Sequence, residues 1–303
     1  MKTLSQLGEF NFIAAIAKKK LRNKAVLKGI GDDAAVVSIS PKDCLLFTAD
    51  MLIEDVHFLR SADPQAIGHK ALACSLSDIA AMGGWPLYAI VSVAFPKKLD
   101  SEFAKKIYKG IQKTALKYSV DIIGGDTNAA EKIIIDVFLC GQVKRKQLVL
   151  RSNAQTGDYI FVTGELGGSR FGGHLNFTPR IAESRFLVSN YKLNSMLDIS
   201  DGLIADLGHI LKQSKKGAIL EQEDIPVDAK AGGLDNAFYA GEDFELLFTL
   251  SEKAAKKLIL AWPFKKTKLS CIGRITAQEA SLQLISKQGK STKIKPGGYR
   301  HFN

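Results

Sequence analysis

Two adjacent aspartates, Asp32 and Asp33, are the first residues in the chain whose type and spacing suggest chemistry. They follow the turn Gly29-Ile30-Gly31 and lead directly into the apolar residues 34–37. Two carboxylates about 4 Å apart repel by roughly 4 kcal/mol at an effective dielectric near 20, so a buried pair generally needs a cation. A solvated turn in front of a strand is the alternative, and this pair alone does not decide between the two.

The same arrangement, an acid beside small or hydroxyl residues at the end of an apolar run, recurs at four places. These are Thr48-Ala49-Asp50, Gly124-Gly125-Asp126-Thr127, Asp198-Ile199-Ser200-Asp201-Gly202 and Gly241-Glu242-Asp243. Mg²⁺ prefers hard oxygen ligands, with one or two carboxylates completed by phosphate oxygens of a substrate. The recurrence therefore favours a site for magnesium and a phosphorylated ligand.

Common nucleotide-binding motifs are missing from the sequence. It contains no GxxxxGK[ST] loop, no kinase glycine loop with its lysine and no GxGxxG opening a dinucleotide-binding unit. Aspartates, rather than a phosphate-binding loop, must then organise any nucleotide.

One helix that must position part of this site is predicted between Asp63-Pro64 and Gly83-Gly84. An aspartate cap followed by proline is typical of a helix start, and a glycine pair of a helix end. Asp78 shares a helical face with Ala71 and Ser75, so it should point inward, where it needs a partner.

Apolar runs predict strands around this helix. One covers residues 45–47 and ends at Thr48 and Asp50, another covers residues 120–123 and ends at Gly124, and a longer one covers residues 133–143. The order of strands and helices predicts an α/β fold of the α+β sandwich type, without the regular alternation of a doubly wound sheet.

A basic stretch at residues 144–146 and a polar segment at residues 152–158 predict a domain boundary near residue 150. Residues 1–150 would form an N-terminal sheet-and-helix domain that binds ATP and metal. Residues 151–303 would form a C-terminal α/β domain.

Charge and cysteine usage narrow the class of protein. The 303 residues carry a net charge of +11, but the lysines form short runs without interleaved aromatics, so phosphorylated small molecules are expected as partners and nucleic acid is not. The four cysteines are scattered singly, as free buried thiols of a cytoplasmic protein would be. No apolar run approaches the roughly 20 residues that cross a bilayer, so neither secretion nor membrane insertion is expected.

Taken together, the motifs resemble those of the thiamine-monophosphate kinase family, related to aminoimidazole ribonucleotide synthetase and selenophosphate synthetase. The resemblance rests on Gly8-Glu9-Phe10, GIGDDAAVV, TADMLIEDVHF, KALACSLSDIAAMGG, IIGGDT, LDISDGL with LGHIL, GEDFELLF and GGYRHF. It implies two α/β domains, a homodimer joined through the N-terminal sheets, and Mg²⁺-assisted, ATP-dependent conversion of thiamine monophosphate into thiamine diphosphate.

The resemblance also implies roles for individual residues. The magnesium ligands would be Asp33, Thr48, Asp50, Asp78, Asp126, Asp198 and Asp201. Four of them would take part directly in catalysis, namely Asp50, Asp126, Asp198 and Asp201. ATP would contact Tyr108, Gly125, Asp126, Arg151 and Ser200, and thiamine monophosphate would contact His57, Glu242 and Tyr299.

Several alternatives stay open at this point. The chain could be another ATP-using member of the superfamily, although selenophosphate synthetases carry a reactive cysteine or selenocysteine near the N-terminus and no cysteine precedes Cys44. It could be a nucleotide-binding protein without catalysis. Ala49 stands where relatives often carry a hydroxyl residue, and Asp201 could cap the helix predicted after Gly202.

Overall fold

In the computed structural model, which describes residues 3–17, 21–299 and 301–302, the strands form two separate sheets. Before the first strand lie two short helices, α1 (Leu4–Leu7) and α2 (Glu9–Ile16). This mixed α/β architecture confirms the predicted fold class.

The first sheet has six strands in the order β1-β2-β3-β6-β4-β5. Their bounds are β1 Val26–Lys28, β2 Ala35–Ser38, β3 Asp43–Ile53, β4 Trp85–Phe95, β5 Asp121–Ala129 and β6 Ile134–Lys144. All neighbours are antiparallel except β4 and β5, which run parallel because a helix connects them. β5 is the last strand in this order and so forms an edge of the sheet.

Two helices, α3 (Pro64–Ala81) and α4 (Ser101–Lys117), cover one face of this sheet. Asp63 caps α3 by accepting a hydrogen bond from the amide of Ala66 at 3.1 Å, which confirms the predicted start. The helices can pack closely because Gly68 has no side chain. A Cβ at this position would lie only 1.9 Å from the carbonyl oxygen of Ile107. α3 is almost entirely buried, although it carries lysine, serine and aspartate side chains.

The second sheet has seven strands in the order β13-β12-β9-β11-β7-β10-β8. Their bounds are β7 Tyr159–Thr163, β8 Ser195–Asp198, β9 Gly217–Glu221, β10 Leu246–Leu250, β11 Leu269–Thr276, β12 Leu282–Ile285 and β13 Ser291–Lys293. The helices of this half are α5 Ile181–Asn190, α6 Leu203–Ser214, α7 Leu234–Tyr239 and α8 Glu252–Ala261. Apolar cores lie on both faces of the sheet.

The first sheet ends at Lys144 and the second begins at Tyr159, so a division near residue 150 agrees with the strand order and remains a proposal. Buried Ala80 and Ala81 of α3 pack in the same apolar cluster as Phe161 and Phe248 of the second sheet. α3 is thus one element through which the two halves meet.

Two strand predictions were wrong in their bounds. β3 continues to Ile53, so Thr48 and Asp50 lie within the strand instead of at its end. β5 continues through Gly124, Gly125 and Asp126, because its parallel pairing with β4 holds the glycines in extended conformation. Residues 18–20, which follow α2 closely in the chain, lie outside the described residues.

Candidate active site

Strand β3 presents Thr48 and Asp50 to helix α3. These two residues alternate with outward-facing neighbours, so they share the face of β3 that carries buried Leu46 and Leu52. The hydroxyl of Thr48 donates a hydrogen bond to Asp78 Oδ2 on α3. On the same helix, Ser75 donates to Asp50 Oδ2 at 2.7 Å. The predicted inward orientation of Asp78 is confirmed, and Thr48 is its partner.

Three carboxylates from distant parts of the chain meet beside this contact. One oxygen from each of Asp33, Asp78 and Asp198 lies within 4.8 Å of the other two, and we call this group the carboxylate cluster. Asp198 comes from the end of β8, where Ser77 of α3 donates to its Oδ2 at 2.5 Å. The cluster therefore lies where the loop before β2, helix α3 and the second sheet meet.

Burial dominates the electrostatics of these acids. It raises the pKa of Asp33 to about 7, with Arg151 acting in the opposite direction and Asp198 adding repulsion. Burial likewise raises the pKa of Asp198 and of Asp50 to about 6. For Asp78, burial and then repulsion from Asp50 hold the pKa well above its ordinary value. A bound cation would offset both the cost of burying these carboxylates and their mutual repulsion.

The carboxylate cluster fits a magnesium ion by its chemistry. Its donors are hard carboxylate oxygens, which Mg²⁺ prefers. Asp33 Oδ2 is buried and has no hydrogen-bond partner among the described residues, so it is an acceptor in need of a cation or donor.

Arg151 occupies one side of the cluster. Its Nε donates to Asp33 Oδ1 at 3.2 Å, and its backbone amide donates to Asp32 Oδ1 at 3.0 Å. The guanidinium thus partly neutralises the charge of Asp33, and the backbone amide bonds to the neighbouring Asp32. Its predicted contact with ATP is compatible with this position beside the cluster and remains a proposal.

The turn after β8 places Ser200 and Asp201 near the cluster. Asp201 does not cap α6, because Gly202 is the N-cap residue and the helix has no side-chain cap. Instead, Asp206 accepts hydrogen bonds at its Oδ2 from the amides of Asp201 (2.9 Å) and Gly202 (3.1 Å). The Asp201 carboxylate is left for another partner, and one of its oxygens lies within 4.8 Å of ligand atoms of Asp206 and His209.

Tyr108, Gly125 and Asp126 line a separate groove of about 500 Å³ between α4 and β5. Asp126 is exposed there and accepts hydrogen bonds from its neighbours, the Thr127 amide at 2.9 Å and the Asn128 side chain at 2.6 Å. The structure does not bring Asp126 into the carboxylate cluster. A Cβ at Gly125 would lie 1.9 Å from the Val91 carbonyl oxygen, so the pairing with β4 already requires glycine.

His57, Glu242 and Tyr299, predicted to contact thiamine monophosphate, are brought together by two residues that the sequence did not single out. Buried Lys70 lies 2.7 Å from the His57 carbonyl oxygen and 2.5 Å from Glu242 Oε1. The ring of His301 lies 5.4 Å from that of His57 and 5.0 Å from that of Tyr299. These contacts link His57, Glu242 and Tyr299 into one group.

Four further residues make contacts in this region that were not predicted from the sequence, namely Ser75, Ser77, Asp206 and His174. The first two lie in KALACSLSDIAAMGG, where polar residues in an apolar helix were a usable signal. Asp206 lies four residues beyond Gly202, within hydrogen-bonding reach of the turn. His174 had no sequence signal, because its partner Lys70 is 104 residues away.

The chain is similar to known proteins over nearly its whole length. Residues 31–143 match the family described as "AIR synthase related protein, N-terminal domain". A thiamine-monophosphate kinase of Buchnera aphidicola (from Schizaphis graminum) is 37% identical, with 98% of this chain and 99% of the relative covered. The corresponding Bacillus subtilis enzyme is 32% identical, with 98% and 100% covered.

Solved structures give the same result. The structure described as "AaThiL complexed with AMPPCP and TMP" superposes with a TM-score of 0.85 at 33% identity, covering 99% of both chains. Hydrogenase maturation protein HypE, at 20% identity and a TM-score of 0.72, with 90% and 94% covered, shares the fold.

The match of residues 31–143 places this part of the chain among AIR synthase related domains. Within that class, full-length identities above 30% show that the chain belongs to the thiamine-monophosphate kinase family.

Proposed function

We propose that this protein catalyses the ATP-dependent phosphorylation of thiamine monophosphate to thiamine diphosphate. The observation that carries the proposal is the full-length similarity to a structure described with AMPPCP and TMP. In the reaction, an oxygen of the thiamine monophosphate phosphate attacks the γ-phosphorus of ATP. A new P–O–P bond forms, the bond to the β-phosphate oxygen breaks, and ADP leaves.

This chemistry fits a site rich in acids without an evident strong base. The acceptor is already an anionic phosphate, so the protein has to position two anionic substrates and neutralise their charge. Thr48, Ser75 and Ser77 hold the carboxylates of Asp78, Asp50 and Asp198 through hydrogen bonds. Arg151 adds a guanidinium that is fixed against Asp33.

We propose Mg²⁺ as the resident cation, held by Asp33, Asp78 and Asp198, with Thr48 and Asp50 beside them. When bound, it supplies the positive charge that the phosphate oxygens need. Asp126 and Asp201 lie outside the carboxylate cluster and are proposed as ligands of further ions that enter with the nucleotide.

The proposed ligand contacts divide the surface. Tyr108, Gly125 and Asp126 in the groove, with Arg151 and Ser200, would serve ATP, and His57, Glu242 and Tyr299 would serve thiamine monophosphate. The backbone supports a shared site, because the Glu242 amide donates to the Ser200 carbonyl oxygen at 2.7 Å.

We further propose a homodimer formed through the open face of the first sheet. α3 and α4 cover only one face, and the other presents the stacked pair Phe47 and Phe138, with Met51, Tyr88 and Ile90 exposed. An apolar face of this kind is typical of a protein interface. Among the described residues, no helix is long and apolar enough to cross a membrane. The four free cysteines support the proposed cytoplasmic location.

Product analysis tests the proposed activity. The protein is incubated with ATP and thiamine monophosphate in Mg²⁺ or in EDTA, and thiamine phosphates and ADP are separated by chromatography. We expect equal amounts of ADP and thiamine diphosphate in Mg²⁺ and neither in EDTA. ADP formation without thiamine diphosphate would contradict the acceptor, and equal turnover in EDTA would contradict the metal.

A further inference from the structure

Lys70 is a buried lysine whose ammonium group is fully engaged. Its side chain is 1% exposed. Nζ lies 2.7 Å from the His57 carbonyl oxygen, 2.5 Å from Glu242 Oε1 and 2.7 Å from His174 Nδ1. Three acceptors thus account for the three N–H groups of the ammonium. We call these four residues the Lys70 junction.

The junction fixes the side chain of a residue whose backbone is unusual. Glu242 has φ +57°, a left-handed conformation that is strained for a non-glycine residue and persists only where surrounding contacts impose it. The Glu242 amide bonds to Ser200, and its Oε1 bonds to Lys70. About 35% of the Glu242 side chain is still exposed, so the carboxylate is not closed off from a ligand.

The junction also sets the tautomer of His174. Because Lys70 has only donors, Nδ1 of His174 must accept, which places the imidazole proton on Nε2. Burial and the nearby Lys70 charge lower the pKa of His174, which keeps the ring neutral. Nδ1 lies 3.4 Å from Glu242 Oε2, too far to compete with the contact to Lys70. The described residues offer Nε2 no acceptor.

We propose that Lys70 is a positioning residue of the thiamine site and that His174 is a further substrate-contacting residue. Lys70 occupies one Glu242 oxygen and the Nδ1 of His174. Glu242 Oε2 is left as an acceptor and His174 Nε2–H as a donor. This pair complements the aminopyrimidine ring of thiamine, whose amino group donates and whose ring nitrogens accept. The inference rests on the proposed function.

Two substitutions separate positioning from folding. Lys70→Met removes the ammonium at similar length, and His174→Asn keeps an acceptor for Lys70 while losing the reach of Nε2–H. For each, thiamine monophosphate binding is measured by calorimetry, the KM for each substrate by kinetics, and the fold by thermal unfolding. We expect a tenfold or greater loss of thiamine monophosphate affinity for Lys70→Met and about fivefold for His174→Asn, with the KM for ATP within twofold.

A double variant tests whether Lys70 acts through the Glu242 carboxylate. Lys70→Met in a Glu242→Gln background should weaken thiamine monophosphate binding much less than it does in the wild type, because both act through one carboxylate. If Lys70→Met does not fold, His174→Asn decides the question. Unchanged thiamine monophosphate binding in His174→Asn, or equal losses for both substrates, would overturn the inference. A wild type that binds ATP but not thiamine monophosphate would instead overturn the proposed function.

Discussion

Asp206 Oδ2 lies 2.9 Å from the backbone nitrogen of Asp201, five residues earlier in the chain. The same oxygen accepts from the Gly202 amide, so one buried carboxylate holds the turn that carries Asp201. Asp201 is freed from capping α6 because a residue inside the helix bonds to the amides that precede it.

The first prediction concerns this turn. Asp206→Ala leaves two amides without their acceptor, and we expect a loss of about 1–3 kcal/mol in the free energy of unfolding. Asp206→Asn retains an acceptor oxygen and should lose much less. Urea unfolding of both variants measures the difference, and equal stability of Asp206→Ala and wild type would contradict the role of Asp206.

The second prediction separates ligand from structural roles in the Asp198 to Asp201 turn. Asp198→Asn keeps an oxygen to accept from Ser77, and Asp201→Asn removes no hydrogen bond that holds the turn. Both variants should unfold at or above the wild-type temperature without ligand, because burial raises the pKa of both carboxyls to about 6 and the amide carries no charge to desolvate, yet they should lose about a hundredfold or more in kcat. Wild-type turnover at saturating Mg²⁺ in either variant would remove that residue from the catalytic set.

The third prediction uses the raised pKa of Asp50. Burial raises it from 3.8 to about 6, so the folded state binds this proton more tightly than the unfolded chain. The resulting stability is complete below pH 3.8 and is lost as the pH rises through 6. At pH 8 in EDTA, Asp50→Asn should therefore be more stable than wild type by about 1–3 kcal/mol.

Mg²⁺ provides the control for that experiment. A bound cation stabilises the ionised Asp50 of the wild type and not the amide, so added Mg²⁺ should raise the thermal midpoint of the wild type more than that of Asp50→Asn. Histidine titrations are common to both proteins and cancel in the comparison. A stability difference that is the same at pH 4 and pH 8 would rule out the titration of Asp50 as its source.

The fourth prediction concerns Tyr299. Its backbone amide donates to the Asp201 carbonyl oxygen at 3.0 Å, so replacing the side chain spares that contact. Tyr299→Ala should weaken thiamine monophosphate binding by about 3- to 30-fold, the range expected for an aromatic ring beside a cationic heterocycle. Tyr299→Phe keeps the ring and should bind almost normally, and ATP binding should be unchanged in both. Equal losses for the two ligands would assign Tyr299 to the fold.

The fifth prediction tests the proposed dimer. Ile90 is 39% exposed on the open face of the first sheet, and Ile90→Glu places a charge there. Light scattering should give a dimer mass for the wild type and a monomer mass for this variant. Ile259→Glu is the matched control, since Ile259 is 55% exposed on α8, away from that sheet. A monomeric wild type would contradict the proposal directly.

All three members of the carboxylate cluster were named from the sequence, and for Asp78 the physical reason is clear. Asp78 falls on the inward face of a helix with strong start and stop signals, and helical periodicity sets that direction locally. Thr48 and Asp50 were expected beyond the end of a strand. Strand β3 runs further because its long ladder with β6 pairs every residue from Asp43 to Ile53, and pairing between distant strands has no local signal.

The contacts around the proposed thiamine monophosphate site were less predictable from the sequence. Lys70 and Glu242 are 172 residues apart, and a lysine in an apolar helix gives no indication of which distant carboxylate it will contact. The groove between α4 and β5 was equally hard to predict, since the need for glycine at position 125 comes from the backbone of β4. Such contacts are set by how the two sheets and their loops meet, which residue patterns within one segment do not encode.

Helix α3 has a consequence for the distance between the two substrates. It carries Lys70 and Asp78 on one uninterrupted helix from Pro64 to Ala81, and a rise of about 1.5 Å per residue separates their Cα atoms by roughly 12 Å. A hydrogen-bonded helix neither stretches nor shortens appreciably, so α3 fixes the distance between the proposed thiamine contacts and the carboxylate cluster. The spacing is counted in residues. One residue inserted between Ser75 and Asp78 would turn Asp78 by about 100° and move it off the face that it shares with Ser75.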